Sequence, residues 1–110
     1  MKMYLDTSNP VTILKLDDKT YEWESGRDLA EKLHEFLLGK LAENGATWQD
    51  LTEITFMSGP GSFTGLRIGA AVVNALAAEL GIPLKNHKGE QVQVILPDYG
   101  RPANITAPRK

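Results

Sequence analysis

The sequence predicts an α/β fold, a mixed sheet in the order βββαβαβ with helices packed against it. Three observations carry this reading. Short alternating runs crowd the first 24 residues, two longer runs repeat their apolar residues at helical spacing, and an apolar run of strand length separates those two. The 110 residues have room for one domain, and the 42% apolar and 24% charged fractions are ordinary for a globular chain.

Lys2 to Asp6 alternates as a first strand, and Thr7-Ser8-Asn9-Pro10 has turn chemistry. Val11 to Leu16 is a second strand, Asp17-Asp18-Lys19 a tight polar turn, and Thr20 to Glu24 a third strand that alternates aromatic with acidic residues. Short turns between the three predict an antiparallel meander. Ser25 is the expected cap of a helix from about Arg27 to Asn44, with Asp28 in its first turn and Gly45 as its stop. Leu29, Leu33, Phe36, Leu37 and Leu41 form its apolar face, which Ala30 and Leu38 widen beyond what one-sided packing needs. Thr47 caps a short turn over Trp48 to Leu51, and Ile54 to Met57 is an apolar strand.

A glycine-rich stretch, Ser58 to Gly69, leads into a second helix that ends at Leu80 before Gly81 and Pro83. Ile68, Val72, Val73 and Leu76 are its expected core residues. The other stripe, Arg67, Ala71, Asn74 and Ala78, is small and lightly charged, which suits close approach of another helix. Gln91 to Leu96 reads as the last strand, followed by an extended tail.

Strand, glycine turn and helix N-terminus in succession are the usual arrangement for an anion cradle. Its candidate residues are Asp6, Thr7, Gly59, Gly61, Ser62 and Thr64. The stretch lacks both the P-loop lysine and a Gly-x-Gly-x-x-Gly spacing, and the glycines equally suit a tight strand-to-helix turn. Ser62 is not a hydrolase elbow, because Pro60 stands where Gly-x-Ser-x-Gly requires glycine. His34 and His87 are too far apart in sequence for a helical zinc pair, and cysteine is absent. No catalytic residue, metal ligand or cofactor is therefore expected. The formal charge of −2 with scattered positives argues against direct gripping of RNA. Asp6 interrupts the first apolar run, and no apolar stretch is expected to reach the roughly 18 residues that span a bilayer. The expected location is cytoplasmic, without membrane contact.

The run Ser58-Gly59-Pro60-Gly61-Ser62-Phe63-Thr64-Gly65-Leu66-Arg67-Ile68-Gly69 resembles the signature of the bacterial tRNA threonylcarbamoyladenosine biosynthesis family TsaB, also called YeaZ, of the Gcp/Kae1-like group. Leu5-Asp6-Thr7-Ser8 and the tail Pro97-Asp98-Tyr99-Gly100-Arg101 are similar to it as well. The resemblance implies a shortened form: one actin-like ATPase (ribonuclease H-like) lobe over 1–97, an extended tail over 98–110, and no second lobe. It further implies a non-catalytic scaffold that pairs through its two helices with a TsaD-like (Gcp/Kae1) threonylcarbamoyltransferase, with a TsaE-like ATPase in the same assembly. That assembly transfers a threonylcarbamoyl group to the adenosine next to the tRNA anticodon, and the scaffold would meet tRNA only indirectly. A homodimer is expected when the partner is absent. The expected interface residues are Leu29, Leu33, Phe36, Leu37, Arg67, Ala71 and Asn74. The rival reading is a small nucleotide-binding phosphotransferase or ATPase built on the glycine loop; a peptidase is a weaker third.

Overall fold

The computed structural model describes residues 1–98. Strands β1 (Lys2–Asp6), β2 (Val11–Leu16) and β3 (Lys19–Glu24) form the antiparallel meander. A 3-10 turn over Gly26–Asp28 leads into helix α1 (Leu29–Glu43), and strand β4 (Glu53–Phe56) follows. Helix α2 (Phe63–Leu80) then connects to two short strands, β5 (Leu84–Lys85) and β6 (Gln91–Val92). The sheet order is β3-β2-β1-β4-β5-β6, with β4 parallel to both of its neighbours and the remaining pairs antiparallel.

Residues directly paired across strands share a face. Tyr21, Leu14, Leu5 and Phe56 therefore stand in one row, and Leu16, Met3, Ile54 and Leu84 in a second. Both helices pack on this face. From α1 come Leu29, Leu33, Leu37 and Leu41 at i, i+4 spacing, and from α2 come Ala70, Val73 and Ala77. The other face is polar: Lys85 pairs with Glu53 at 3.3 Å, and the Lys15 ammonium lies 5.2 Å from the centre of the Tyr4 ring. Burial raises the Tyr4 phenol above its ordinary pKa, and the negative charge of Asp6 adds to the shift.

Four local expectations change. Ser25 does not cap α1: its hydroxyl is buried, 2.8 Å from that of Thr12, and donates to the Pro10 carbonyl at 3.2 Å. Those bonds fasten the end of β3 to the β1–β2 turn instead. A sheet strand absent from the expected order, β5, pairs with β4 through Ile54 and Leu84. The strand foreseen over Gln91 to Leu96 keeps only Gln91 and Val92, because the Asn74 side chain takes the backbone of Ile95. Lastly, α2 is long and apolar enough by composition to cross a membrane, contrary to the expectation. Here it is a core helix, with Leu66, Gly69, Ala70 and Val73 buried. The tail foreseen over 98–110 lies, apart from Asp98, outside the described residues.

Candidate functional site

The glycine stretch lies against the β1–β2 turn, and its glycines are there for closeness. A Cβ on Gly61 would stand 2.5 Å from the Ser8 Cβ, and one on Gly65 would fall on the Thr7 carbonyl oxygen. A Cβ on Gly69 would meet the Phe56 ring at 2.6 Å. Hydrogen bonds seal the contact. Thr7 Oγ1 donates to the Gly65 carbonyl at 2.7 Å, the Ser62 N–H to the Ser8 carbonyl at 2.9 Å, and the Gly65 N–H to Ser62 Oγ at 3.2 Å. Ser62 is thereby the N-cap of α2.

The structure thus brings Asp6, Thr7, Gly61 and Ser62 together, but the polar groups of Asp6, Thr7 and Ser62 are bonded to Ser8 and Gly65. Thr7 is fully buried, and Asp6 Oδ1 accepts from both the N–H and the hydroxyl of Ser8. Gly59 is buried, and a side chain there would strike the Asp98 carbonyl. Thr64 alone of the six candidates combines an exposed hydroxyl with no role in this web. Beside it opens a cleft of about 300 Å³ between the β1–β2 turn, the start of α1 and the start of α2. Arg27, Asn9 and Thr64 line it together with Pro10, Leu29 and Ile68.

A second concavity, about 380 Å³, is lined by His34 of α1 and Ala71, Val72, Ala75, Leu76 and Glu79 of α2. The His34 ring is set there by Trp48, whose ring centre is 5.3 Å away. Of the expected interface residues, Ala71 lines this groove and Arg67 is exposed on the same helix. Leu29, Leu33 and Leu37 require correction: all three are buried in the core, Leu33 and Leu37 completely, while Leu29 shows only an edge to the first cleft. Phe36 is half-buried and stacked on Trp23 at 4.7 Å. Asn74 is also committed, its Oδ1 accepting from the Ile95 N–H at 2.6 Å and its amide donating to the Ile95 carbonyl at 3.2 Å. Replacing Asn74 with alanine should cost about 1–3 kcal/mol for the two bonds. Amide exchange at Ile95 should quicken by more than at core strands, which hydrogen-exchange measurements will read. The sequence reading assigned Val72 and Leu76 to the core and missed Ala75 and Glu79; the run of small residues on α2 was the available signal.

Comparison with known proteins gives this geometry a context. The model of the family "TsaD: tRNA N6-adenosine threonylcarbamoyltransferase" matches residues 24–86, more than half of the chain. YeaZ from Pseudomonas aeruginosa superposes with a TM-score of 0.68 at 30% identity, over 77% of this chain and 42% of that one. An uncharacterized protein of Mycobacterium tuberculosis is 44% identical over 55 residues, 50% of this chain and 26% of its own length. The tRNA threonylcarbamoyladenosine biosynthesis protein TsaB of Bacillus subtilis is 50% identical over 36 residues, 33% of this chain and 16% of its own. The chain spans less than half the length of each relative. Its meander, parallel β4 and two helices on one face are the start of the actin-like, ribonuclease H-like fold that YeaZ has. By family model, by sequence and by fold, the chain belongs to the Gcp/YeaZ-like family of TsaD and TsaB.

Proposed function

We propose that this chain acts in tRNA N6-threonylcarbamoyladenosine formation as a non-catalytic scaffold that pairs with a TsaD-like threonylcarbamoyltransferase. The observation that carries this reading is the groove along α2, whose exposed Ala71 and Ala75 leave room for a helix of a partner. Leu38, 44% exposed on α1, and Arg67 extend the same apolar and lightly charged surface. Residues 1–97 act as one lobe in this reading. A TsaE-like ATPase joins the assembly, tRNA is held by the partners, and the same groove supports a homodimer when the transferase is absent.

The test is light scattering after size-exclusion chromatography, on the chain alone and mixed with the TsaD-like protein of the same genome. A one-to-one complex is expected. Ala71→Trp should weaken it roughly a hundredfold, about 2.7 kcal/mol, with an unchanged thermal melt, since Ala71 is exposed. Undiminished pairing by that variant overturns the interface. Calorimetry with magnesium and ATP checks the rival, a nucleotide-binding phosphotransferase. Micromolar binding by the chain alone would displace the scaffold reading.

A further inference from the structure

One serine–histidine pair lies at the start of the glycine stretch, apart from the β1–β2 turn contact and the α2 groove. Ser58, two residues past the end of β4, is 4% exposed, and its Oγ lies 2.6 Å from His87 Nδ1. Both residues are held in place. The Ser58 carbonyl accepts from the Asp98 N–H at 2.7 Å. His87 sits in a turn fixed by Asn86, whose Oδ1 accepts from the N–H groups of Lys88 at 2.9 Å and Glu90 at 3.0 Å. Ser58 also lines a pocket of about 190 Å³ with Asn86, Val92, Val94, Ile95 and Leu96. Its walls are mostly aliphatic, and Val94 and Leu96 are exposed at its rim.

A serine hydroxyl becomes nucleophilic when an imidazole nitrogen within hydrogen-bond reach takes its proton. We propose that Ser58 is an acyl acceptor activated by His87, taking a short acyl group from a small activated ester into this pocket. With the ring proton on Nε2, Nδ1 is free to accept the Ser58 proton as Oγ attacks the ester carbonyl. The Oγ–C bond forms, the ester C–O bond breaks, and the leaving alcohol departs with the proton from Nδ1. The product is an acyl-serine among Val92, Val94 and Ile95. The pocket volume admits a few-carbon acyl chain.

The experiment is incubation of the full chain with p-nitrophenyl acetate, followed by nitrophenolate release and peptide mass spectrometry. The expected result is one acetyl group on Ser58, with Ser8, Ser25 and Ser62 unmodified as internal comparators. Ser58→Ala should abolish the rapid release. His87→Gln retains a hydrogen-bonding group but cannot relay the proton, so it should slow Ser58 acetylation at least ~100-fold while the circular dichroism spectrum stays native. Acetyl groups spread over the serines and lysines would overturn the proposal, as would equal Ser58 labelling in folded His87→Gln. Neither result bears on pairing through the α2 groove.

Discussion

Gly65→Ala should unfold a large part of the population at temperatures where the parent chain is folded. Two effects of opposite sign meet at this position. In a helix, exchanging glycine for alanine gains roughly 0.5–1 kcal/mol of backbone entropy and propensity. Against this, the new Cβ would lie on the Thr7 carbonyl oxygen, a backbone atom that cannot swing aside as a side chain can. Relieving that overlap moves the first turn of α2 off the β1–β2 turn. It also breaks the 2.7 Å bond from the buried Thr7 hydroxyl to the Gly65 carbonyl. Overpacking costs about 1–3 kcal/mol and an orphaned buried hydroxyl a similar amount. The net expectation is a loss of roughly 3 kcal/mol or more, a large share of the 5–15 kcal/mol typical of a domain. A urea titration reads it directly. Gly39→Ala is the matched control: this glycine is exposed in α1 with nothing within 4 Å of a built Cβ. It should gain roughly 0.5–1 kcal/mol. If both variants shift the midpoint alike, the close packing of α2 on the β1–β2 turn is wrong.

These two glycines also mark how far the sequence could be read. The string around Gly65 announced a strand-to-helix turn and a family, yet its polar residues suggested a ligand where the fold has them bonded to Ser8 and to Gly65 itself. Spacing alone cannot separate those cases, because a hydroxyl poised for an anion and one poised for a carbonyl are the same residue. The meander and the C-terminal ends of both helices were legible, since alternation and turn residues act locally; Gly45 and Gly81 both have φ +66 there. Non-local pairing was not. Two residues, Leu84 and Lys85, carry no period, and they are a strand only because β4 lies beside them. Ser25 has a capper's chemistry but finds Thr12, from another strand, before it finds its own helix. Asn74 sits on the small-residue stripe, yet its side-chain amide is bonded to the backbone of Ile95, a contact 21 residues away.

The wide apolar face of α1 poses the same problem with a sharper experimental answer. Seven residues from Leu29 to Leu41 are apolar, and their pattern alone fits either a deep core or a core plus a partner surface. In the fold Leu33 and Leu37 are 0% exposed, while Leu38 is 44% exposed. Leu33→Ala and Leu37→Ala should each therefore cost about 2–5 kcal/mol, the lost transfer energy plus the cavity left between α1 and the sheet. Leu38→Ala should cost less than ~0.5 kcal/mol, as surface changes do. Pairing affinity, corrected for the folded fraction, should show the reverse order, with Leu38→Ala and Ala71→Trp weakening it and Leu33→Ala leaving it within about twofold. The discriminating quantity is thus the ratio of the two effects at each position, since destabilisation alone lowers apparent binding through the unfolded fraction. A Leu33→Ala chain that melts like the parent but fails to pair would return that residue to the interface and require α1 to rotate on the sheet.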